Sequence, residues 1–305
     1  MQFLITGASG FVGSHLSEFL LDQNHSVTGV SRKPPARLMQ RERFRFVSAD
    51  TTRPGAWQKA FSDVNAVVNL TGRSIFGRWS ESVKTEIRES RILTTRHVAQ
   101  GLPPGRKGVV LVSASGAGYY GSRGDEILTE DAAAGDDFLA GLAKEWEAEA
   151  LAAAEKGVRV VVMRLGVVLG PGGGAMAQMI PAFKAFVGGP LGSGRQWFPW
   201  IHLHDLLAAV LFLTEHPELS GPVNVCAPHP VPNRDLAAAL GQALKRPALV
   251  PAPAFMIRMS LGEFAEVLLA SQRTVPKKLL EHHFSFKYPD IRSAVNAVVH
   301  GESTD

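Results

Sequence analysis

Along the first half of the chain, short unbroken apolar runs alternate with longer stretches whose apolar positions recur every three or four residues. The first pattern belongs to strands buried on both faces, the second to amphipathic helices. The runs predict strands at 2–6, 26–30, 44–49, 66–70, 108–113 and 159–164. The periodic stretches predict helices over 13–22, 80–101 and 137–156. Strands alternating with helices make βαβ units, which assemble into a parallel sheet covered on both faces. Six such strands predict an α/β fold, a Rossmann-type doubly wound parallel sheet.

After Arg164 the pattern changes. Residues 166–194 are glycine-rich and only partly helical, with one helix near 176–186. An apolar helix over 206–216 follows, then a strand at 223–226 that would return to the sheet, then a helix over 234–245 with Asn233 as its cap. From Pro247 prolines punctuate the chain, with a helix over 255–270 and a short one from Lys277 behind Pro276. An extended segment at 284–287 precedes a last helix over 291–300, capped by Asp290. The 305 residues exceed the usual size of a single core, so two units are expected: a dinucleotide-binding domain over 1–165 and a smaller C-terminal α+β region over 166–305. The last residues, 301–305, are expected to lack order.

Composition narrows this little. One cysteine, Cys226, excludes an intrachain disulfide and a thiolate zinc site. A net charge of +4 does not argue for nucleic acid, and no nucleic-acid motif accompanies it. The basic residues are unevenly spread, however. Arg32, Lys33, Arg37, Arg41, Arg43 and Arg45 crowd together with only Glu42 against them, as a solvated loop or a phosphate pocket. No apolar stretch reaches the ~20 residues of a membrane span, and the first strand begins where a signal peptide would stand. A cytoplasmic protein is expected.

The chemistry begins at Thr6-Gly-Ala-Ser-Gly-Phe-Val-Gly13. Gly7, Gly10 and Gly13 follow a strand and open a helix, the context in which a glycine motif predicts a dinucleotide. Gly7 permits the tight turn, Gly10 lets a diphosphate approach the backbone, and Gly13 lets the helix pack close to the sheet. The helix start, with Ser9, Phe11 and Val12, would then hold the phosphates. At the end of the second strand, an acid would bond the ribose of NAD. Here stand Ser31, Arg32 and Lys33, which suit the 2′-phosphate of NADP. NADP(H) is therefore the expected cofactor.

Further motifs accompany the loop: Asp50-Thr51, Asn69-Leu-Thr-Gly72, Arg78-Trp79, Ser90-Arg91, Thr94-Thr-Arg96, Ser113-Ala-Ser-Gly-Ala-Gly-Tyr-Tyr-Gly121 and Trp146-Glu147. Arg164-Leu-Gly-Val-Val-Leu-Gly-Pro171, Trp200-Ile-His-Leu-His-Asp205, Pro276-Lys-Lys-Leu-Leu280 and Phe284-Ser-Phe-Lys-Tyr-Pro-Asp290 complete the set. Together they resemble, over nearly the whole chain, the atypical extended short-chain dehydrogenases/reductases known as epimerase family proteins, which carry a C-terminal domain of unknown function. The resemblance implies that Asp50 and Thr51 sit by the adenine and that Leu70, Thr71 and Gly72 lie along ribose and diphosphate. It implies that Ser113 belongs to the cofactor site and that Leu165, Gly166 and Val167 flank the nicotinamide. It also makes a homodimer an expectation.

That superfamily works with a serine, a tyrosine and a lysine; the lysine lowers the pKa of the tyrosine and holds the nicotinamide ribose. Ser115 matches the serine and Lys144 is the candidate lysine. Four residues before Lys144 stands Ala140; in the register that follows Glu147 the pair becomes Leu139 and Ala143. Neither register yields a tyrosine, and the chain's three are Tyr119, Tyr120 and Tyr288. Tyr119 and Tyr120 lie near Ser115 in sequence, where they could face the site or pack beneath it. His202, His204 and Asp205 are read as a helix start, with Asp205 favouring its dipole, and no metal is expected. Two functions stay open: an NADP(H)-dependent oxidoreductase or epimerase acting on a small polar, sugar-like substrate, and an NADP(H)-binding protein without turnover. Arg78, Trp79 and Trp197 are candidate walls for a substrate, and Trp79 and Trp200 read equally well as core anchors.

Overall fold

The computed structural model describes residues 1–105 and 108–301. Seven strands form one parallel sheet: β1 (Gln2–Thr6), β2 (Ser26–Ser31), β3 (Phe44–Ser48), β4 (Ala66–Asn69), β5 (Val110–Gly116), β6 (Arg159–Leu165) and β7 (Gly221–Val225). Their order is β7-β6-β5-β4-β1-β2-β3, so the chain winds outward from β1 in one direction and from β4 in the other. The reversal between β1 and β4 puts a crevice at their carboxyl ends. β4 is buried at every residue, which is why it reads as an unbroken apolar run.

The helices are α1 (Phe11–Asp22), α2 (Glu81–Gly101), α3 (Phe138–Leu151), α4 (Gly174–Lys184), α5 (Leu203–Glu215), α6 (Asn233–Leu244), α7 (Ala254–Leu261), α8 (Phe264–Leu269), α9 (Lys277–Glu281) and α10 (Ile291–His300). The Ser80 hydroxyl accepts from Val83 N at the start of α2, and Asp137 accepts from Ala140 N at the start of α3. Asp290 caps α10 as its position predicts, accepting from Arg292 N and Ser293 N. Asn233 does not cap α6: it lies inside the helix, and its side-chain carbonyl accepts from Leu191 N at 2.8 Å, tying down the glycine-rich loop. The single helix expected over 255–270 is two, broken at Gly262, whose φ of +60° no helix tolerates. Segment 284–287 forms no strand. The tail beyond Gly301 lies outside the described residues.

Alternation along the strands divides the core. Phe3, Ile5, Val68, Val112 and Met163 face Leu16, Leu20, Leu206 and Val210 of α1 and α5. Leu4, Val67, Leu111 and Val160 face the other layer, with Trp57, Phe61 and Val98. A third cluster holds the later chain together: Met176 and Phe183 of α4, Leu236 and Leu240 of α6, Ile291 and Val295 of α10, and Trp200. Trp200 is 1% exposed and anchors this core. Asp205, in the first turn of α5, accepts from Lys287 N and Tyr288 N, each at 2.9 Å. The carboxylate thus clamps the C-terminal segment in addition to facing the helix dipole, and charge-assisted bonds of this kind contribute about 1.5–3 kcal/mol. Among the described residues, no helix is long and apolar enough to cross a membrane.

Candidate functional site

The glycine loop folds as its spacing demands. Gly7 has a φ of +73°, and a Cβ on Gly13 would lie 2.2 Å from the Gly7 carbonyl oxygen. Both positions therefore require glycine. Gly10 and Ser9 are exposed, and α1 begins at Phe11 with no side-chain cap. The first-turn N–H groups of a 12-residue helix thus open, uncapped by any side chain, on the crevice. The Phe11 ring fills space left by Gly170, Gly173 and Gly174; a Cβ at Gly173 would lie 2.3 Å from it. This contact accounts for part of the glycine-rich stretch after β6. Val12 is partly buried beside the same core.

At the exit of β2, the Ser31 hydroxyl donates to the Lys33 carbonyl at 2.9 Å, and Arg32 is exposed. Asp50, after β3, accepts from the Thr52 hydroxyl at 2.7 Å, which holds its carboxyl below the ordinary range with help from Arg53 and Arg32. Arg41 pairs with Asp22, and Arg43 bonds Asn24, so these two cations serve the loop after α1. The Thr51 side chain turns inward to Thr94, 3.0 Å away, and its carbonyl meets His97 Nδ1 at 3.2 Å. At the exit of β4, the backbone of Leu70 and Thr71 packs on Gly7. Thr71 Oγ1 is buried without a hydrogen-bond partner. A dinucleotide fits these features: the uncapped helix start, the glycine cradle that a Cβ would fill, and an orphaned hydroxyl beside them.

Behind this edge runs a buried polar ladder that sequence reasoning did not find. Thr6 donates to Asn69 Oδ1 at 2.7 Å; Asn69 Nδ2 donates to Thr95 Oγ1 at 2.8 Å and Ser113 Oγ at 3.2 Å. Trp146 Nε1 also donates to Thr95 at 2.8 Å. The ladder fastens α2 and α3 to the strand ends, and Ser113 belongs to it.

The serine and lysine candidates are not brought together. Lys144 is exposed on the outer side of α3, whereas Ser115 is buried. Ser115 Oγ donates to Glu147 Oε1 at 2.8 Å. Glu147 in turn takes both Nε and Nη2 of Arg164 at 2.9 Å, a two-pronged pair that is fully buried. Arg164 Nη1 reaches the Tyr120 hydroxyl and the Glu130 carbonyl, each at 3.1 Å, and its guanidinium lies 3.4 Å from the Tyr119 ring. Tyr120 donates to Asn224 Oδ1 at 2.6 Å. Burial, partly offset by Arg164, pushes the Tyr120 phenol up to about 12. Both tyrosines are thus engaged by Arg164. The signal that could have revealed this network is Arg164 itself, a cation at the end of an apolar strand, which needs a buried partner.

The Glu147 register leaves Leu139 and Ala143 where the relay's tyrosine and lysine would stand. Leu139 joins a half-buried apolar cluster with Leu70, Ile75, Trp79, Phe138 and Leu165. Leu70 and Leu165 lie at the carboxyl ends of β4 and β6, so this cluster faces the crevice. The Trp79 ring meets Phe138 at 5.2 Å and Phe264 of α8 at 5.6 Å, closing the C-terminal region onto the nucleotide domain. Arg78 reaches the Met259 carbonyl of α7 at 3.4 Å. Trp197 stands apart, bonded to Asp125 at 2.7 Å. Gly166 and Val167 pass tightly beside Pro199 and Trp200, and a Cβ on Gly166 would lie 3.0 Å from Trp200 N.

A glycine-opened crevice on a seven-stranded doubly wound sheet, with an apolar cap from a C-terminal region, defines a class. The chain belongs to the NAD dependent epimerase/dehydratase family, which it matches over residues 3–226. Residues 252–298 match a domain of unknown function, DUF1731. The similarity extends through the full length of epimerase family proteins of the SDR39U1 and YfhF type. The chloroplastic SDR39U1 homolog of Arabidopsis thaliana is 39% identical over 98% of this chain and 87% of its own length. YfhF of Bacillus subtilis is 35% identical over the whole of both chains. The crystal structure of human SDR39U1 (isoform 2) with NADPH superposes with a TM-score of 0.85 at 32% identity, covering 98% of this chain and 99% of that one. UDP-glucuronic acid 4-epimerase from Bacillus cereus, in complex with UDP-glucuronic acid and NAD, superposes with a TM-score of 0.79 at 17% identity over 99% and 98% of the two chains, a likeness of fold alone.

Proposed function

We propose that this chain binds NADP(H) at the carboxyl edge of its sheet and does so without the tyrosine–lysine proton relay of its superfamily. The observation that carries the cofactor reading is the glycine cradle beneath α1 with Arg32, not an acid, at the exit of β2. The cation suits a 2′-phosphate, and the human relative bound to NADPH supports the choice. Gly7, Gly10, Gly13 and the start of α1 would hold the diphosphate, Ser31 and Arg32 the 2′-phosphate, and Thr71 a ribose or phosphate oxygen. The bound dinucleotide would supply a hydride. Titrating the full chain with NADPH and NADH tests this: NADPH should bind at least tenfold more tightly, and equal or tighter NADH binding overturns it.

The missing relay favours binding without ordinary turnover. Leucine and alanine transfer no proton, Ser115 is held by Glu147, and the Tyr120 phenol stays neutral at working pH. A second reading, hydride transfer to a small substrate, is favoured by the apolar cluster of Leu70, Leu139 and Leu165, a dry wall of the kind hydride chemistry uses. That wall suits an apolar acceptor better than a sugar. Assaying NADPH oxidation against apolar carbonyl compounds and sugars separates the readings. Turnover on the order of 1 per second or faster supports the second.

A further inference from the structure

The large apolar side chains left in solvent concentrate on one face of the C-terminal region. Phe186 and Val187 follow α4, Leu249 and Val250 precede α7, and Phe255 and Met259 stand out from α7. Leu249 is 82% exposed, and Phe255 and Met259 are each 67% exposed, while Ile257 between them is buried. The segments after α4 and before α7 run side by side. Ala252 N donates to the Pro190 carbonyl at 2.9 Å, and a Cβ on Gly189 would lie 2.1 Å from the Val250 carbonyl oxygen. The Arg246 guanidinium lies over the Phe186 ring at 4.6 Å. At the other end of α7, Arg78 Nη1 reaches the Met259 carbonyl, and Phe76, itself exposed, meets Phe264 at 5.8 Å. Exposed apolar residues scattered singly are ordinary, but a continuous set marks a surface that something covers.

The charge on this face identifies the occupant. Segments 176–191 and 236–262 contain Lys184, Lys245, Arg246 and Arg258 and no aspartate or glutamate. Arg258 pairs with Glu266. Arg246 donates to the Lys245 carbonyl at 3.1 Å, and neither it, Lys245 nor Lys184 pairs with a carboxylate among the described residues. The cations are interleaved with the apolar residues: Lys184 stands two before Phe186, Arg246 three before Leu249, and Arg258 beside Met259. A protein interface keeps charge out of its centre, and a second copy would set this basic face against itself. A bilayer surface takes both kinds of group at once: apolar side chains enter the boundary between headgroups and acyl chains, and Lys and Arg lie at the phosphates.

We propose that this face docks the protein on an anionic lipid bilayer, with Phe255 and Met259 of α7 in the headgroup–acyl boundary and Lys184, Lys245 and Arg246 on lipid phosphates. The protein lies on the membrane without spanning it, since no helix among the described residues is long and apolar enough to cross. The docked face adjoins the crevice through Phe76 and Phe264, which leaves the apolar cluster of Trp79, Leu139 and Leu165 within reach of a substrate dissolved in the bilayer. The docking does not depend on the NADP(H) reading.

The test is flotation of the full chain with vesicles of phosphatidylglycerol and phosphatidylcholine in equal parts, or of phosphatidylcholine alone. The mixed vesicles should carry the protein. Binding to phosphatidylcholine alone should be at least tenfold weaker, and binding to the mixed vesicles should fall at least tenfold between about 50 and about 500 mM salt. Phe255→Ser with Met259→Ser, and separately Lys245→Glu with Arg246→Glu, should each weaken binding at least tenfold. Phe255 and Met259 are exposed, so their double variant should keep the urea unfolding curve of the unaltered chain. No binding to the mixed vesicles, equal binding to both kinds without salt dependence, or unchanged binding by the Phe255 and Met259 variant overturns the proposal. So does a dimer in light scattering that the same variant dissolves, which would make this face a contact between copies.

Discussion

Two regions of the crevice treat polar groups in opposite ways. At the exits of β1 and β4, polar groups lack protein partners: the start of α1 has no side-chain cap, and Thr71 Oγ1 is buried with no hydrogen bond. At the exits of β5 and β6, Ser115, Glu147, Arg164, Tyr120 and Asn224 are bonded to one another in a closed chain. A buried donor or acceptor left unpaired is costly, so the first region is shaped for something that arrives. In the second, these five side chains bond to one another without a ligand. It has the residue types of an active site and the connections of a structural brace.

The sharpest way to break this comparison is to open the brace. Glu147→Gln leaves Arg164 buried without its counter-charge and should lower stability by about 3–5 kcal/mol in urea unfolding. A loss below about 1 kcal/mol would deny Glu147 its structural role. Next in size, Gly13→Ala drives a Cβ to 2.2 Å from the Gly7 oxygen. It should cost about 1–3 kcal/mol in stability and weaken NADPH binding at least tenfold by calorimetry, because the same contact shapes the cradle.

Tyr120 gives the brace a pH signature. Its folded phenol titrates near 12, against ~10 in the unfolded chain, so between these values the folded state holds a proton that the unfolded state has lost. Stability from this group is therefore fully present below pH ~10 and declines as pH rises toward 12, by up to about 1.4 kcal/mol per pH unit. Tyr120→Phe should be the less stable protein at pH 8, by about 1 kcal/mol, and the gap should narrow between pH 10 and 12 in parallel unfolding curves. A constant gap would contradict the burial of a neutral phenol. The smallest effect belongs to Lys144→Ala. An exposed side chain outside both regions should change stability by less than about 0.5 kcal/mol and leave NADPH binding unaltered.

Much of the architecture is legible in the sequence because it is written in local periodicity. The strands of the parallel sheet begin and end within three residues of their apolar runs, and α10 starts at the Asp290 cap. What failed depends on contacts distant in sequence. Asn233 looks like a helix cap until Leu191 N is seen to claim its carbonyl 42 residues away. The short strand at Arg273–Thr274 exists only because Ile127–Leu128 pairs with it. The break at Gly262 was hidden because one glycine in an apolar run does not by itself end a helix. At the site, the glycine loop could be read because each glycine answers a local steric demand. The role of Ser115 could not, because its partner Glu147 lies 32 residues on and Arg164 a further 17.

The most direct test is a crystal structure of the full chain with NADPH bound. The two-region account predicts cofactor oxygens within hydrogen-bond distance of the α1 N-terminus and Thr71. It also predicts that Ser115 stays on Glu147 at about its present 2.8 Å, and that apolar Leu139 and Leu165 stand beside the nicotinamide. A structure in which Ser115 leaves Glu147 for the cofactor, with a protonatable side chain at the nicotinamide and Thr71 still unpartnered, would contradict it.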